Sequence, residues 1–227
     1  MRSDLVKMVS SRQSAALWIE GPADDEESPS HATLLAANMV RDLSQLSIAT
    51  LSHYIHRPRN ASLGRERAFL EMVYSLVCQI SRTIPEHASF EAGLVEKAKS
   101  LPALPQAHSE VTLSLAPAVN VFESLLKSLP PLLFCVVDGY QLLVKGSNSP
   151  ELKAASKQFV ACICDAATRQ LSDQPPIFKS LWTTDGFCGD LRLAENSRGL
   201  TRVEFEDDED FESMAFRGRE MSPLLEG

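Results

Sequence analysis

Hydrophobic residues in this chain follow two alternating patterns. Short runs that are apolar throughout, such as residues 132–137, are typical of strands buried on both faces, as in the middle of a parallel sheet. Between such runs, apolar residues recur every three or four positions, as at Leu35, Met39 and Leu43, which is the spacing of one helix face. The strands predicted in this way cover residues 14–20, 46–55, 132–137, 177–184 and 200–205.

The segments between these strands show the helical spacing of apolar residues. The predicted helices cover residues 29–44, 65–80, 118–129 and 151–170, with a weaker one near 89–99. Strands that alternate with helices predict an α/β fold of three layers with about five mostly parallel strands. Right-handed crossovers then bring every strand-to-helix loop to one edge of the sheet, which is where ligands bind in such folds.

Two features at that edge suggest a binding site. The run at residues 132–137 ends in a single acid, Asp138, followed by a glycine. The first strand ends at Gly21 and is followed by an acidic loop, residues 24–27, and then by Ser28 and Pro29. A serine cap followed by proline at the first helical position predicts that a helix starts at Ser28. Because this helix start and Asp138 each follow a strand of the same parallel sheet, Ser28 and Asp138 should lie near each other at one edge.

Composition narrows the classes of partner. The net charge of −8 argues against nucleic acid, because that binding needs clustered Lys and Arg. No stretch approaches the roughly 20 apolar residues of a membrane span, and no apolar leader follows the first residues, so we expect a cytoplasmic protein without a membrane partner. Cys78, Cys135, Cys162 and Cys164 lie in apolar surroundings, which favours reduced core thiols over a metal site.

The order of these pieces resembles the nucleotide-binding core of the STAND class of P-loop NTPases, most closely the NACHT-like modules of fungal multidomain proteins. The resemblance covers roughly residues 14–210. In that family a Trp-containing strand, here with Trp18, leads into G-x-x-x-x-G-K-[ST], which would begin at Gly21. A hydrophobic strand ends in the Walker B Asp, here Asp138, and a later strand ends in Thr-Ser-Arg, here residues 183–185.

The sequence departs from the family at the positions that would bind phosphate and activate water. Counted from Gly21, the Gly-Lys-Ser of the motif falls on Glu26, Glu27 and Ser28, and no lysine occurs between positions 7 and 97. A P-loop needs glycines so that backbone N–H groups can wrap the phosphates, and a lysine to reach the outer phosphates. No carboxylate follows Asp138 within four residues to activate water.

We therefore expect a degenerate NTPase-like module that acts as a non-hydrolysing scaffold or regulatory interaction domain. It would have a protein partner, no resident cofactor or metal, and no catalytic residue. A first alternative is a STAND-type switch that binds ATP or ADP with Mg weakly through Gly21, Ser28 and Asp138; a second is an unrelated α/β enzyme that uses the same edge. The expected division is an N-terminal extension at 1–13, the NTPase-like domain at 14–210 and a tail at 211–227.

Overall fold

The structure is a computed structural model of the chain. It describes residues 2–23, 29–55, 64–84, 94–99, 101, 115–169 and 176–204. The predicted acidic loop at residues 24–27, Ser28, residues 56–63 after the second strand, and residues 205–227, which include the predicted tail, lie outside the described residues.

One sheet of five parallel strands forms the centre of the described structure. The strands are β1 (Ala15–Gly21), β2 (Thr50–Tyr54), β3 (Leu132–Asp138), β4 (Ile177–Asp185) and β5 (Thr201–Glu204). They are arranged in the order β2-β3-β4-β1-β5, and every neighbouring pair is parallel. The predicted fold class, a three-layer α/β fold with about five mostly parallel strands, is confirmed.

Helices cover both faces of the sheet. They are α1 (Arg2–Ser10), α2 (His31–Gln45), α3 (Gly64–Thr83), α4 (Leu94–Lys99), α5 (Ala116–Leu125), α6 (Gln141–Val144), α7 (Pro150–Thr168) and α8 (Gly189–Arg198). In the described ranges, α1 and α2 pack on one face, which we call the α2 face, and α3 to α8 pack on the other. None of these helices has both the length and the apolar character that a membrane span requires.

The larger core lies on the face opposite α2. Phe159 of α7 is at its centre and contacts the rings of Phe69, Phe122 and Trp182 at centroid distances of 5.3 to 6.0 Å. All of these rings are fully buried. Aromatic side chains contribute large apolar areas to a core, so this cluster fixes α3, α5 and α7 against β4.

On the α2 face, a lysine is buried under the first helix. Lys179 of β4 is 2% exposed, and its Nζ donates to the carbonyls of Val9 at 2.7 Å and Ser11 at 2.6 Å. These carbonyls belong to the C-terminal end of α1, where the helix dipole favours a cation. The Phe134 ring lies 5.5 Å from the same ammonium group. Lys179 thereby ties α1 to the sheet.

One edge of the sheet is closed by a side chain. The Ser52 N–H of β2 donates to Gln79 Oε1 at 2.8 Å, and Gln79 Nε2 donates back to the Ser52 carbonyl at 2.9 Å. Gln79 lies on α3, so its amide occupies the place that a neighbouring strand would take beside Ser52.

Several predicted boundaries are wrong. The second strand begins at Thr50 rather than at Leu46, because Leu46 ends α2 and Ser47 has a left-handed φ of 56°. The sequence pattern missed α6 and α8. Cys78 is exposed, unlike the buried core thiols Cys135, Cys162 and Cys164, because it lies on the outer side of α3.

Candidate functional site

The carboxyl ends of β1, β3 and β4 meet at one edge of the sheet. Gly21 is in register with Asp185, and Asp138 is in register with Thr183. The helix after β1 covers the α2 face, whereas the helix after β4 covers the opposite face. Adjacent strands whose helices leave to opposite faces form the crevice that binds ligands in open α/β sheets. The β1–β4 edge is therefore where a ligand site is expected.

Asp138 is held by two hydroxyl groups. Thr33 Oγ1, from the first turn of α2, donates to Asp138 Oδ2 at 2.8 Å, and Thr183 Oγ1 of β4 donates to Asp138 Oδ1 at 2.6 Å. The carboxylate residue is only 4% exposed. Hydrogen bonds to a charged acceptor are the strong ones, so both carboxylate oxygens are satisfied inside the protein.

The start of α2 corrects one prediction. The helix begins at His31, and its cap is Ser30, whose Oγ accepts from the Thr33 N–H at 3.2 Å and donates to Thr33 Oγ1 at 3.1 Å. The predicted cap, Ser28, lies outside the described residues. Both serines suit a cap by local sequence, but Ser30 has Thr33 three residues on, which can reach Asp138.

A chain of hydrogen bonds thus runs from Ser30 through Thr33 to Asp138. It fixes the N-terminus of α2 against β3. The Thr33 N–H, one of the donors that a helix N-terminus would offer to an anion, is used by the Ser30 cap. The first helical position is occupied by His31, and the first turn of α2 contains no lysine.

Gly21 lies at the edge as predicted, and its neighbours explain why the residue is glycine. A Cβ added to Gly21 would lie 3.3 Å from the Thr184 carbonyl and 3.5 Å from the Ala32 Cβ. The absence of a side chain therefore lets α2 approach the β1–β4 pair closely.

The turn after β4 fills part of the crevice. Gly186 has a φ of +82°, its N–H donates to the Gly21 carbonyl at 2.9 Å, and its carbonyl accepts from Thr184 Oγ1 at 2.8 Å. A Cβ added to Gly186 would lie only 2.8 Å from the Ala23 Cβ. The loop after β1 and the turn after β4 therefore contact each other directly above the two strand ends.

Tyr54 is a member of the site that the sequence did not suggest. It is in register with Asp138 at the end of β2. Burial, and then the nearby Asp138 carboxylate, raise the pKa of Tyr54 to about 12. The phenol stays protonated across the physiological range and remains a hydrogen-bond donor beside Asp138.

The residues after Asp138 turn into the core. Gly139 has a φ of +75°, and a Cβ there would lie 2.6 Å from the Ile55 carbonyl, so only glycine fits. Tyr140 is fully buried, and its OH lies 2.7 Å from Ser156 Oγ. Gln141 is 2% exposed, and among the described residues its side-chain amide has no hydrogen-bond partner. None of the three supplies a carboxylate to the edge.

The described residues supply neither a metal-binding cluster nor a reactive thiol to this site. The described residues contain no cluster of three or more His, Cys, Asp or Glu that could hold a metal ion. Burial raises the pKa values of the Cys135, Cys164 and Cys188 thiols to about 12, so they stay protonated and unreactive. Arg67, near the start of α3, pairs with Glu71 at 2.8 Å along the same helix.

The site also permits a test of whether a nucleotide with magnesium would fit. A hydroxyl of the P-loop and the Walker B carboxylate hold the magnesium ion in P-loop NTPases. Thr33 and Asp138 provide that combination, at 2.8 Å from each other. For the phosphates the described residues fit poorly, because no lysine and no glycine stands at the beginning of α2. The residues at this site thus fit the magnesium ion of a bound Mg-nucleotide but not its phosphates.

The described structure is a three-layer α/β fold with a parallel sheet and a buried aspartate at the end of β3, an arrangement that resembles a P-loop NTPase-like fold. No protein-family model matches the sequence, and neither does any curated protein. Among solved structures, the chain is similar to the Aeropyrum pernix ORC1 protein in complex with DNA, at 13% identity and a TM-score of 0.44, over 89% of this chain and 42% of that one. It is also similar to the Aeropyrum pernix ORC2 protein in its ADPNP-ADP complexes, at 12% identity and a TM-score of 0.49, over 97% of this chain and 49% of that one. The chain thus spans less than half the length of either protein.

Proposed function

We propose that this chain is a degenerate NTPase-like module that acts as a non-hydrolysing scaffold or regulatory interaction domain. The observation that carries the proposal is the buried Asp138 carboxylate, both of whose oxygens accept hydroxyl hydrogen bonds from Thr33 and Thr183. Each of these oxygens keeps a second lone pair, so the hydroxyl bonds do not block a metal ion, but they give the carboxylate a structural role that needs none. Asp138 therefore serves to join α2, β3 and β4.

The surroundings of Asp138 support the same proposal. Hydrolysis needs a positioned water and a cation for the developing charge. The positions after Asp138 are occupied by Gly139, Tyr140 and Gln141, and the two larger side chains are buried. The contact between Gly186 and Ala23 narrows the crevice at the β1–β4 edge. The positions after Asp138, where hydrolysis would need a group that activates water, are therefore occupied by residues that pack inside the protein.

The proposed partner is a protein, and the proposed location is the cytoplasm. A net charge of −8 opposes nucleic acid as the main partner. The finer assignment to the NACHT-like modules of the STAND class is part of this proposal and rests on the order of Trp18, Gly21, Asp138 and residues 183–185 along the chain.

The experiment is a phosphate-release assay under saturating Mg-ATP and Mg-GTP, with Asp138→Ala as the matched control. We expect no turnover above the control. Turnover that disappears in Asp138→Ala would refute the proposal, since contamination would persist in both proteins.

A second candidate function, a switch that binds ATP or ADP with magnesium weakly, is favoured by one observation. The Thr33 hydroxyl and the Asp138 carboxylate form the pair that would hold the metal ion. Calorimetric titration of Mg-ATP and Mg-ADP into the wild type, Thr33→Val and Thr201→Val separates the two functions, because Thr201 is an exposed threonine on β5. Binding that is lost in Thr33→Val alone would establish the switch, whereas the scaffold proposal expects no binding by any of the three.

A further inference from the structure

Two buried polar groups of β4 have no hydrogen-bond partner in the described part of the chain. Ser180 is 1% exposed and Trp182 is fully buried, and neither the Ser180 Oγ nor the Trp182 Nε1 is paired there. Trp18, the other tryptophan of the core, differs, because its Nε1 donates to Thr184 Oγ1 at 2.9 Å. An unpaired buried group costs free energy, so nearly all such groups in folded proteins bond to protein or to ordered water.

Ser180 and Trp182 lie on the same face of the sheet, the one opposite α2. They are two residues apart on one strand, and side chains at that spacing point to the same side. Trp182 belongs to the larger core, where its ring lies 6.0 Å from that of Phe159 in α7. Ser180 is therefore under the same layer of helices, about 7 Å along the strand from Trp182.

The neighbours of Ser180 across the sheet are small. Ala16 of β1 and Cys135 of β3 are in register with Ser180 and belong to the same core. We call Ala16, Ser180 and Cys135 the small row. The adjacent rows on this face are bulkier and contain Trp18, Trp182 and Val137 on one side, and Phe178 and Leu133 on the other. The small row is thus the place where a small molecule fits between the sheet and the helices.

We propose that the small row binds one water molecule, which accepts a hydrogen bond from Trp182 Nε1 and donates to Ser180 Oγ and Cys135 Sγ. The roles match the chemistry of the groups, since an indole N–H only donates, whereas a hydroxyl oxygen and a thiol sulfur accept. Hydrogen bonds to water of about 2.9 Å each let it join atoms up to about 6 Å apart, so it can connect side chains two positions apart on a strand. Three bonds are also what a buried water typically makes.

The groups of the small row favour a neutral ligand over an ion. Burial raises the pKa of the Cys135 thiol to about 12, so this thiol keeps its proton. The Ser180 hydroxyl and the Trp182 indole are neutral as well, and an ion held by neutral groups in an apolar core would lose its hydration without a counter-charge.

The bound water gives Trp182 a fixed orientation. The Trp182 ring contacts those of Tyr140 at 5.1 Å and Phe159 at 6.0 Å, so the water helps to hold α7 and the residues after β3 in the core. The small row lies on the face opposite the Thr33–Asp138 contact. The inference therefore goes beyond the scaffold function and does not depend on nucleotide binding.

The first measurement uses the unsubstituted chain. Magnetisation transfer from bound water to the indole N–H protons is recorded by NMR. We expect a cross-peak with water at Trp182 and none of that size at Trp18, which is equally buried but donates to Thr184.

The second measurement counts long-lived water molecules by magnetic relaxation dispersion of the water oxygen. Ser180→Val removes the hydroxyl and fills its surroundings, and we expect this variant to hold one long-lived water fewer than the wild type. Thr201→Val is the matched control, because Thr201 is an exposed threonine on β5, and it should leave the count unchanged.

Three results would overturn the inference. Without a cross-peak between water and the Trp182 indole, the group is unpaired in solution as well. A cross-peak of equal size at Trp18 would trace the signal to exchanging hydroxyl protons. An equal water count in the wild type and Ser180→Val would show that the small row holds no water. If Ser180→Val does not fold, the comparison of Trp182 with Trp18 in the wild type decides alone.

Discussion

Replacement of Lys179 by methionine should remove a component of the pH dependence of folding. Methionine has a similar length but no charge and no donor. In the wild type, burial lowers the pKa of the Lys179 ammonium group from 10.5 to about 8. The native protein therefore loses this proton at a lower pH than the unfolded chain does. Between about pH 8 and 10.5 the unfolded state binds more protons, so the contribution of Lys179 to stability rises with pH in this window.

The size of that contribution follows from the pKa. A pKa lowered from 10.5 to about 8 corresponds to about 3 kcal/mol in the free energy of unfolding. At pH 7, Lys179→Met removes the cost of the buried charge but leaves the Val9 and Ser11 carbonyls without their donor, a loss of about 1 kcal/mol for each bond. These effects oppose each other, so the diagnostic quantity is the slope with pH and not the stability at a single pH.

Other groups contribute slopes of the opposite sign. The buried thiols of Cys135, Cys164 and Cys188 have pKa values raised to about 12 from 9.0, so the unfolded chain releases these protons first and stability falls above about pH 9. Subtraction of the Lys179→Met curve from the wild-type curve cancels this shared component.

The assay is urea unfolding between pH 7 and 10.5, followed by the fluorescence of Trp18 and Trp182, which are both fully buried. Lys157→Met is the control, because Lys157 is an exposed lysine on α7. We expect the wild type to gain stability relative to Lys179→Met as the pH rises, and to run parallel to Lys157→Met. Parallel curves for the wild type and Lys179→Met would refute the idea that the fold buries a desolvated ammonium group.

Two further predictions test local features. Gly186→Ala should lower the free energy of unfolding by about 2–3 kcal/mol in urea titrations, since it combines a positive φ with a contact at 2.8 Å from Ala23. Gly146→Ala has a φ of +69° but would meet only the Arg65 side chain, at an ordinary distance of 3.8 Å, so it should cost only about 1 kcal/mol. Equal costs would contradict the close contact at Gly186. A thiol reagent at pH 8 should label the native protein at one cysteine, Cys78, which is the exposed one of the five. Rapid labelling of Cys78→Ser would show that a buried thiol is accessible.

The strands and long helices could be predicted because each has many apolar residues at a regular spacing. β3 is apolar at six consecutive positions, and α3 buries six residues on one side. By contrast, α8 buries only Leu191 and Ala194, too few for a periodic pattern to be detected. The start of β2 was misplaced because Leu46 and Ile48 are apolar but belong to the turn after α2.

The candidate site could be predicted only in part. Asp138 was found because it ends an apolar run, and Gly21 because it follows one. Thr183 was named only as part of the strand end at residues 183–185, and Thr33 was missed, since a threonine within a helix or a strand carries no local signal for a contact that only the folded sheet creates. The choice of Ser30 over Ser28 as the cap likewise depends on Thr33 reaching a carboxylate that is 105 residues away in sequence.

The Gln79 side chain also limits how copies of this domain can associate. An open strand edge pairs readily with the strand of another molecule, and proteins block such edges to avoid aggregation. Because Gln79 satisfies both the N–H and the carbonyl of Ser52, the β2 edge offers no backbone pair at its middle residue. A strand that docked there would have to break both bonds first. Among the described strands the sheet therefore has one edge, that of β2, at which a side chain opposes growth by strand addition.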